Sequence, residues 1–219
     1  MVNRIFLNMN KCLNFSLKEG SSMLVCGPTM SGKSTFVHAL LSDRRIFSKR
    51  PKRVYWFHGQ ETEELKSKKG YVIKEGLPES FDYIPPNSVI ILDDLMAEAK
   101  DHAGVTKLFT KLVHHKKLFV INITQNFFLN SKETRTRRLN TQYIVLFKNP
   151  SDASQVHVIG RQMYPQNPLF LADINAKVTK QPHSYIFIDL RQETPDDMRI
   201  RSRVLPSEYP MRIHKRRQV

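Results

Sequence analysis

The sequence predicts an α/β chain, a parallel β-sheet core flanked by helices, and three observations predict it. Short apolar runs of strand length alternate with segments of helical spacing along the 219 residues. The runs show little polar alternation, as in strands covered on both faces. The first run leads straight into a glycine-bracketed loop and then a helix. Crossovers of this length are right-handed and make neighbouring strands parallel.

Each element has its own warrant. Residues 22–26 (SMLVC) are apolar and read as the first strand, and residues 34–41 carry helical spacing through Phe36, Val37, Leu40 and Leu41. Residues 54–57 are aromatic and β-branched. Tyr55, Trp56 and Phe57 fall on both faces of so short a segment, which suits a buried strand better than a platform for stacking bases. Residues 59–76 form a polar stretch rich in Glu and Lys, and 85–88 (PPNS) a turn. Residues 89–92 are a fully apolar strand ending in Asp93 and Asp94. A helix is predicted over 103–115 with Val105, Leu108, Phe109 and Leu112 inward, then strands over 118–124 and 143–147. Helices over 151–163, opening after Asn149-Pro150, and over 169–179 precede a last strand at 185–190. One domain is expected over 1–195, with 1–20 as an N-terminal extension. Beyond Thr194-Pro195 the chain turns basic, and 196–219 is expected to be a poorly packed tail.

Composition narrows the function. With 40% hydrophobic and 25% charged residues the chain is an ordinary globular protein. Its apolar runs, such as 118–121, are far short of the ~20 residues a bilayer span needs, so no membrane partner is expected. The N-terminus has neither a sustained apolar core nor a small-residue cleavage site, so the chain is expected to stay inside a cell or particle. The two cysteines, Cys12 and Cys26, have no metal-ligand spacing; Cys26 ends the first strand, where a small apolar thiol packs well. His102, His114 and His115 read as solvated side chains, not zinc ligands. A net charge of +15 favours a polyanionic partner, because each neutralised phosphate releases counterions. The basic residues cluster at 44–53, 111–117, 132–138 and 199–217.

The chemistry begins at Gly27, Pro28, Thr29, Met30, Ser31, Gly32, Lys33 and Ser34, which meet the pattern G-x-x-x-x-G-K-[ST]. The glycines allow a tight turn whose N–H groups face a β-phosphate, Lys33 reaches the β- and γ-phosphates, and the Ser34 hydroxyl binds magnesium. Thr35 starts a helix whose positive dipole end faces the same phosphates. The expected cofactors are therefore ATP and Mg2+. Asp93, at the tip of an apolar strand 60 residues after Lys33, is placed to hold the metal. Asp94 is placed to activate the attacking water, or else to cap the next helix. In Thr124-Gln125-Asn126, at the end of the following strand, the Gln125 amide can donate and accept together, which suits orienting a water or sensing a γ-phosphate.

The order GPTMSGKS, VIILDDLM, INITQN, RTRRLNTQYIVLFKNPSD, IGRQMYP and SYIFIDLRQETPDDMRIRS resembles the packaging ATPases of polinton-like viruses and adintoviruses. These belong to the FtsK–HerA superfamily, which includes the poxvirus packaging ATPase. The likeness runs from residue 20 to about 203, and LFKNPSD, RQMYP and the DLRQ segment discriminate far better than the phosphate-loop motifs. It implies a P-loop NTPase with a RecA-like core, a ring-shaped homo-oligomer (usually a hexamer), and ATP-driven loading of viral double-stranded DNA into a capsid or portal vertex. It also implies a site of action in the host nucleus or cytoplasm, with virion association. Gln125 matches the superfamily's polar residue after the fourth core strand. Arg135, before the LN-x-x-Y strand, and Arg161, in RQ-x-YP, match candidates for a finger entering a neighbour's site, with Arg135 ranked first. Such a finger is worth roughly 10³–10⁵ in rate. Arg137 and Arg138 stand where less basic residues are expected. Two other functions compete: a P-loop kinase with Arg135 to Arg138 as its lid, and a scaffold whose nucleotide only stabilises DNA-bound assembly. Asp93 and Asp94 on a strand separated from the loop strand by another favour the motor, because simple kinases often leave the two adjacent.

Overall fold

The computed structural model describes residues 15–59, 65, 70–95, 98–99, 102–125, 140–208 and 210–215. Among these, nine strands make a single sheet. They are β1 (Ser21–Cys26), β2 (Val54–His58), β3 (Tyr71–Glu75), β4 (Val89–Asp93), β5 (Phe119–Thr124), β6 (Tyr143–Phe147), β7 (Tyr185–Asp189), β8 (Ile200–Ser202) and β9 (Arg212–His214), in the order β3-β2-β4-β5-β1-β6-β7-β8-β9. Helix α1 (Lys33–Ser42) covers one face. On the other lie α2 (Ala103–Lys107), a π-helical turn (Leu108–Leu112) and α3 (Val113–His115) over the β4 side, and α4 (Ser154–Met163) and α5 (Phe170–Val178) over the β6 side.

Two-sided cover explains the unbroken apolar runs. Met23 and Val25 of β1 join the core under α1, while Leu24 and Cys26 join the core under α4 and α5. In β4, Val89 and Ile91 face α1, and Ile90 and Leu92 face α2 and α3. Neither face can be polar, so the alternation of a one-sided sheet is lost.

Three expectations are corrected. The stretch 59–76 hides β3, an edge strand that pairs parallel with β2; its apolar run is only Tyr71-Val72-Ile73, half-buried and followed by exposed Lys74 and Glu75. The sheet is parallel only from β3 to β6, and β7 runs antiparallel to β6. One crossover helix returns the chain to the edge where strands start, but the paired α4 and α5 return it to the edge it left, so β7 must run backwards. The basic segment from 196 onward is not a poorly packed tail. Ile200 and Ser202 are buried, and β8 and β9 extend the sheet antiparallel from β7, so the domain continues past residue 195.

Candidate functional site

Parallel pairing places the tips of β4, β5 and β1 side by side, with β5 between the other two. Gly27 leaves β1 with its N–H bonded to Thr124 O at 3.2 Å, and Ser31 N–H bonds Pro28 O at 3.2 Å, closing the loop tightly. A Cβ on Gly27 would stand 2.7 Å from both Phe147 Cβ and Ser31 Oγ, so no side chain fits without a shift. Met30 and Gly32 have φ of 62° and 101°; the left-handed turn costs Gly32 nothing, and Met30 accepts it at a fully exposed loop crest. Lys33 then opens α1. No side chain caps this helix and its first turn carries no acid, so its N–H groups and dipole are open to an anion. The Lys33 ammonium donates to Gly27 O and Pro28 O, both at 2.8 Å. Burial lowers its pKa, while nearby charges that include Asp93 and Asp94 draw it back up. Ser34 and Thr35 share the same turn; Pro28 and Ser34 are half-exposed, Thr29 and Thr35 exposed.

Asp93 ends β4 opposite His58 of β2. Burial lifts its pKa to about 6; the Trp56 indole opposes this, the Asp94 charge adds to it, and the charges of Lys33 and His58 pull it back down. A carboxylate so desolvated beside a second one fits a site that takes a divalent cation. The chain then turns sharply, with Asp94 at φ 54°, which carries its side chain out of the sheet and into solvent. There Gln125 Nε2, from the tip of β5, donates to Asp94 Oδ2 at 3.2 Å. Lys33, Asp93, Asp94 and Gln125, drawn from three strand ends, are thus neighbours. Arg161 is exposed on the last turn of α4 and is not part of this group. Arg135 and Asn126 lie outside the described residues.

Two features escape a linear reading. Trp56 is buried core, as its strand predicts, but its Nε1–H also donates to Asp93 Oδ2 at 3.2 Å. A buried indole N–H needs an acceptor, and that need was the available signal. Cys26 Sγ lies 3.6 Å from both Gln125 O and Gln155 Oε1, and Gln155 Nε2 donates to Asp152 Oδ2 at 2.8 Å. Burial pushes the Cys26 thiol up to about 12, against the charge of Lys33, so it stays a neutral donor.

The basic clusters also resolve. Arg199 donates to Asp196 at 2.7 Å, and Arg201, buried, reaches the fully buried Asp189 at 3.1 Å, so these two hold the sheet's far edge together. Lys49, Arg50, Lys52, Arg53 and Lys117, by contrast, are exposed, and the fold gathers them where β2, β4 and β5 begin. Lys52 N bonds Asn87 O, Asn87 N bonds Lys116 O, and Glu19 lies between Lys49 Nζ at 3.7 Å and Lys117 Nζ at 3.4 Å. This band faces away from the strand tips that carry Lys33 and Asp93. Among the described residues no helix is long and apolar enough to cross a membrane.

No protein-family model and no curated protein matches the chain. Solved structures do. The genome packaging NTPase of Sulfolobus turreted icosahedral virus 2, in complex with ATP-gammaS, is 15% identical over 91% of this chain and 98% of its own, with a TM-score of 0.46. A KaiC-like protein of Pyrococcus horikoshii is 13% identical over 84% and 85%, with a TM-score of 0.39. The DNA-packaging ATPase of Sulfolobus turreted icosahedral virus is 12% identical over 92% of this chain and 100% of its own, with a TM-score of 0.51. At that identity the likeness is one of fold: this chain shares, nearly end to end, the α/β P-loop architecture of a viral packaging ATPase.

Proposed function

We propose that this chain is a Mg2+-dependent ATPase that drives viral double-stranded DNA into a capsid as a ring of copies. We further propose that it is a packaging ATPase of the polinton-like virus and adintovirus kind within the FtsK–HerA superfamily, acting in the host cell and at the virion. The observation that carries the reading is the meeting of Lys33, Asp93, Asp94 and Gln125 at the tips of three adjacent strands. The strand interposed between β1 and β4 supports a motor over a simple kinase.

The residues divide the work. Lys33 exchanges its two loop carbonyls for β- and γ-phosphate oxygens, and the uncapped first turn of α1 supplies N–H donors. Ser34 and Asp93 hold Mg2+, which when bound neutralises charge on the transferring phosphoryl group. Asp94 accepts a proton from the attacking water. Gln125, whose amide N–H already donates to Asp94, accepts that water on its carbonyl oxygen. Arg135 or Arg161 of a neighbouring copy offsets the charge developing on the γ-phosphoryl. The band from Lys49 to Arg53 with Lys117 supports a polyanionic partner held through its phosphates, as a pump indifferent to sequence requires.

An ATPase assay with and without duplex DNA tests the reading. Stimulation by DNA is the expected result. Turnover that depends on a small acceptor would reassign the chain as a kinase, and DNA and nucleotide binding without turnover would leave a scaffold.

A further inference from the structure

The turn between α5 and β7 reaches the phosphate loop from far along the chain. In Gln181-Pro182-His183-Ser184 the Ser184 N–H closes on Gln181 O at 3.4 Å, and His183, after the proline, has φ 60°. This is the pattern of a type II turn, whose third place ordinarily falls to glycine or asparagine. Histidine there bears a left-handed backbone that glycine would adopt freely, and such outliers gather where function needs the side chain. The side chain has a target. Its Nδ1 lies 3.2 Å from Ser31 O. Its ring packs on Gly32, where an added Cβ would stand 3.4 Å from Nδ1 and 3.6 Å from Phe147 Cε1. A carbonyl oxygen only accepts, so Nδ1 carries the hydrogen and donates it. The turn is anchored to the helix that the loop opens. Tyr185, the first residue of β7, packs against Phe36 of α1 with ring centroids 4.7 Å apart, and its hydroxyl accepts the Val204 N–H at 3.1 Å.

We propose that His183 is a positioning residue of the phosphate loop, holding the Ser31–Gly32 peptide so that the Gly32 N–H stays turned toward bound phosphate; this rests on the phosphate-loop reading above. A trans peptide points its C=O and its N–H in opposite directions. Tying Ser31 O to His183 therefore aims the Gly32 N–H away from the turn, as a donor of the phosphate cradle. Gly32, at φ 101° and without a Cβ, gives this peptide little steric reason to stay in place. The restraint has to come from outside the loop, and His183 supplies it. Without it the peptide is free to turn before nucleotide arrives, and binding must turn it back.

Three substitutions separate the donor from the turn, read by titration calorimetry with Mg-ADP and Mg-ATP-gammaS. Glycine suits the turn and removes the donor. His183→Gly should melt no lower than wild type, yet bind both nucleotides roughly three- to tenfold more weakly, the worth of one hydrogen bond. The asparagine amide nitrogen stands where Nδ1 stands, and asparagine tolerates the left-handed backbone, so His183→Asn should restore most of the affinity. Glutamine carries its amide at the place of Nε2, so His183→Gln should not. In steady state the loss in His183→Gly should fall on KM for ATP and not on kcat, because the same N–H serves substrate and transition state. If wild type binds neither nucleotide, the phosphate-loop reading falls, and this proposal with it. If wild type binds and His183→Gly binds as tightly, the loop stands and His183 is only a turn residue. Equal affinities for the asparagine and glutamine variants would remove Nδ1 as the donor. Weakening that comes with a lower melting temperature and that asparagine does not repair would make the ring a packing residue.

Discussion

Lys33 carries the most specific prediction at the scale of single residues. Its ammonium is the one cation on the phosphate loop, so Lys33→Ala should lower ATP turnover by at least about 10²-fold while circular dichroism stays that of wild type. Asp94→Asn should bind ATP normally and fail to hydrolyse it, since the amide cannot accept the water's proton; normal turnover would reduce Asp94 to a turn residue. Trp56 gives a separate handle, because it is the chain's sole tryptophan and its indole holds Asp93. Its emission should change when Mg2+ and ATP-gammaS bind. In Trp56→Phe the Mg2+ requirement should rise by about 10–100-fold, the usual cost of removing a partner of a metal ligand. An unchanged requirement would leave Trp56 a packing residue.

Among the elements, the antiparallel extension from β7 to β9 makes the clearest commitment. Asp189, fully buried at the end of β7, accepts from Arg191 at 2.8 and 3.0 Å and from Arg201 at 3.1 Å. Burial alone would raise its pKa, but the hydrogen bonds and charge of Arg191, with the charge of Arg201, hold it below the ordinary carboxylate value. A folded pKa below the unfolded one means that this stabilisation is complete above the ordinary value and is lost as pH falls through the folded one. Asp189→Asn should therefore cost about 3–5 kcal/mol at neutral pH, because two largely buried guanidiniums lose their partner. It should also flatten the acid limb of the melting-temperature profile below about pH 4. An unaltered acid limb would show that other carboxylates set it. This network explains why the start of a segment that reads as a basic tail folds: Arg199 is matched by Asp196, and Arg201 by Asp189 on a preceding strand.

For the whole molecule, the prediction concerns the two opposite edges of the sheet. Reversing Lys49, Lys52 and Lys117 to Glu should weaken duplex DNA binding. It should also make the dependence of log K on the logarithm of salt concentration shallower, by about 0.9 for each phosphate no longer neutralised. Basal ATP turnover, at the other edge, should not change; if DNA affinity survives the reversal, the phosphates are held elsewhere. Assembly has its own test. Mixing Arg135→Ala or Arg161→Ala subunits with Asp94→Asn subunits should restore turnover only for the arginine that acts across an interface, and no rescue with either would clear both.

What the sequence by itself determined is local. A phosphate loop needs eight consecutive residues and a flanking strand and helix, so Gly27 to Ser34 declared itself, and the apolar strands leading to Asp93 and Gln125 were legible from their composition. What only the tertiary structure decided is whatever depends on residues distant along the chain. The edge strand β3 carries only a three-residue apolar run, Tyr71-Val72-Ile73, before Lys74 and Glu75, and one of its sides is open, so it does not stand out from the polar stretch around it. The reversal at β7 follows from two helices packing as a pair, which periodicity in either one does not report. Trp56 meets Asp93 across 37 residues, Cys26 meets Gln155 across 129, and Lys49 meets Lys117 only through Glu19. Meetings of that kind arise from strand order, and strand order is set by how the whole chain buries its apolar faces.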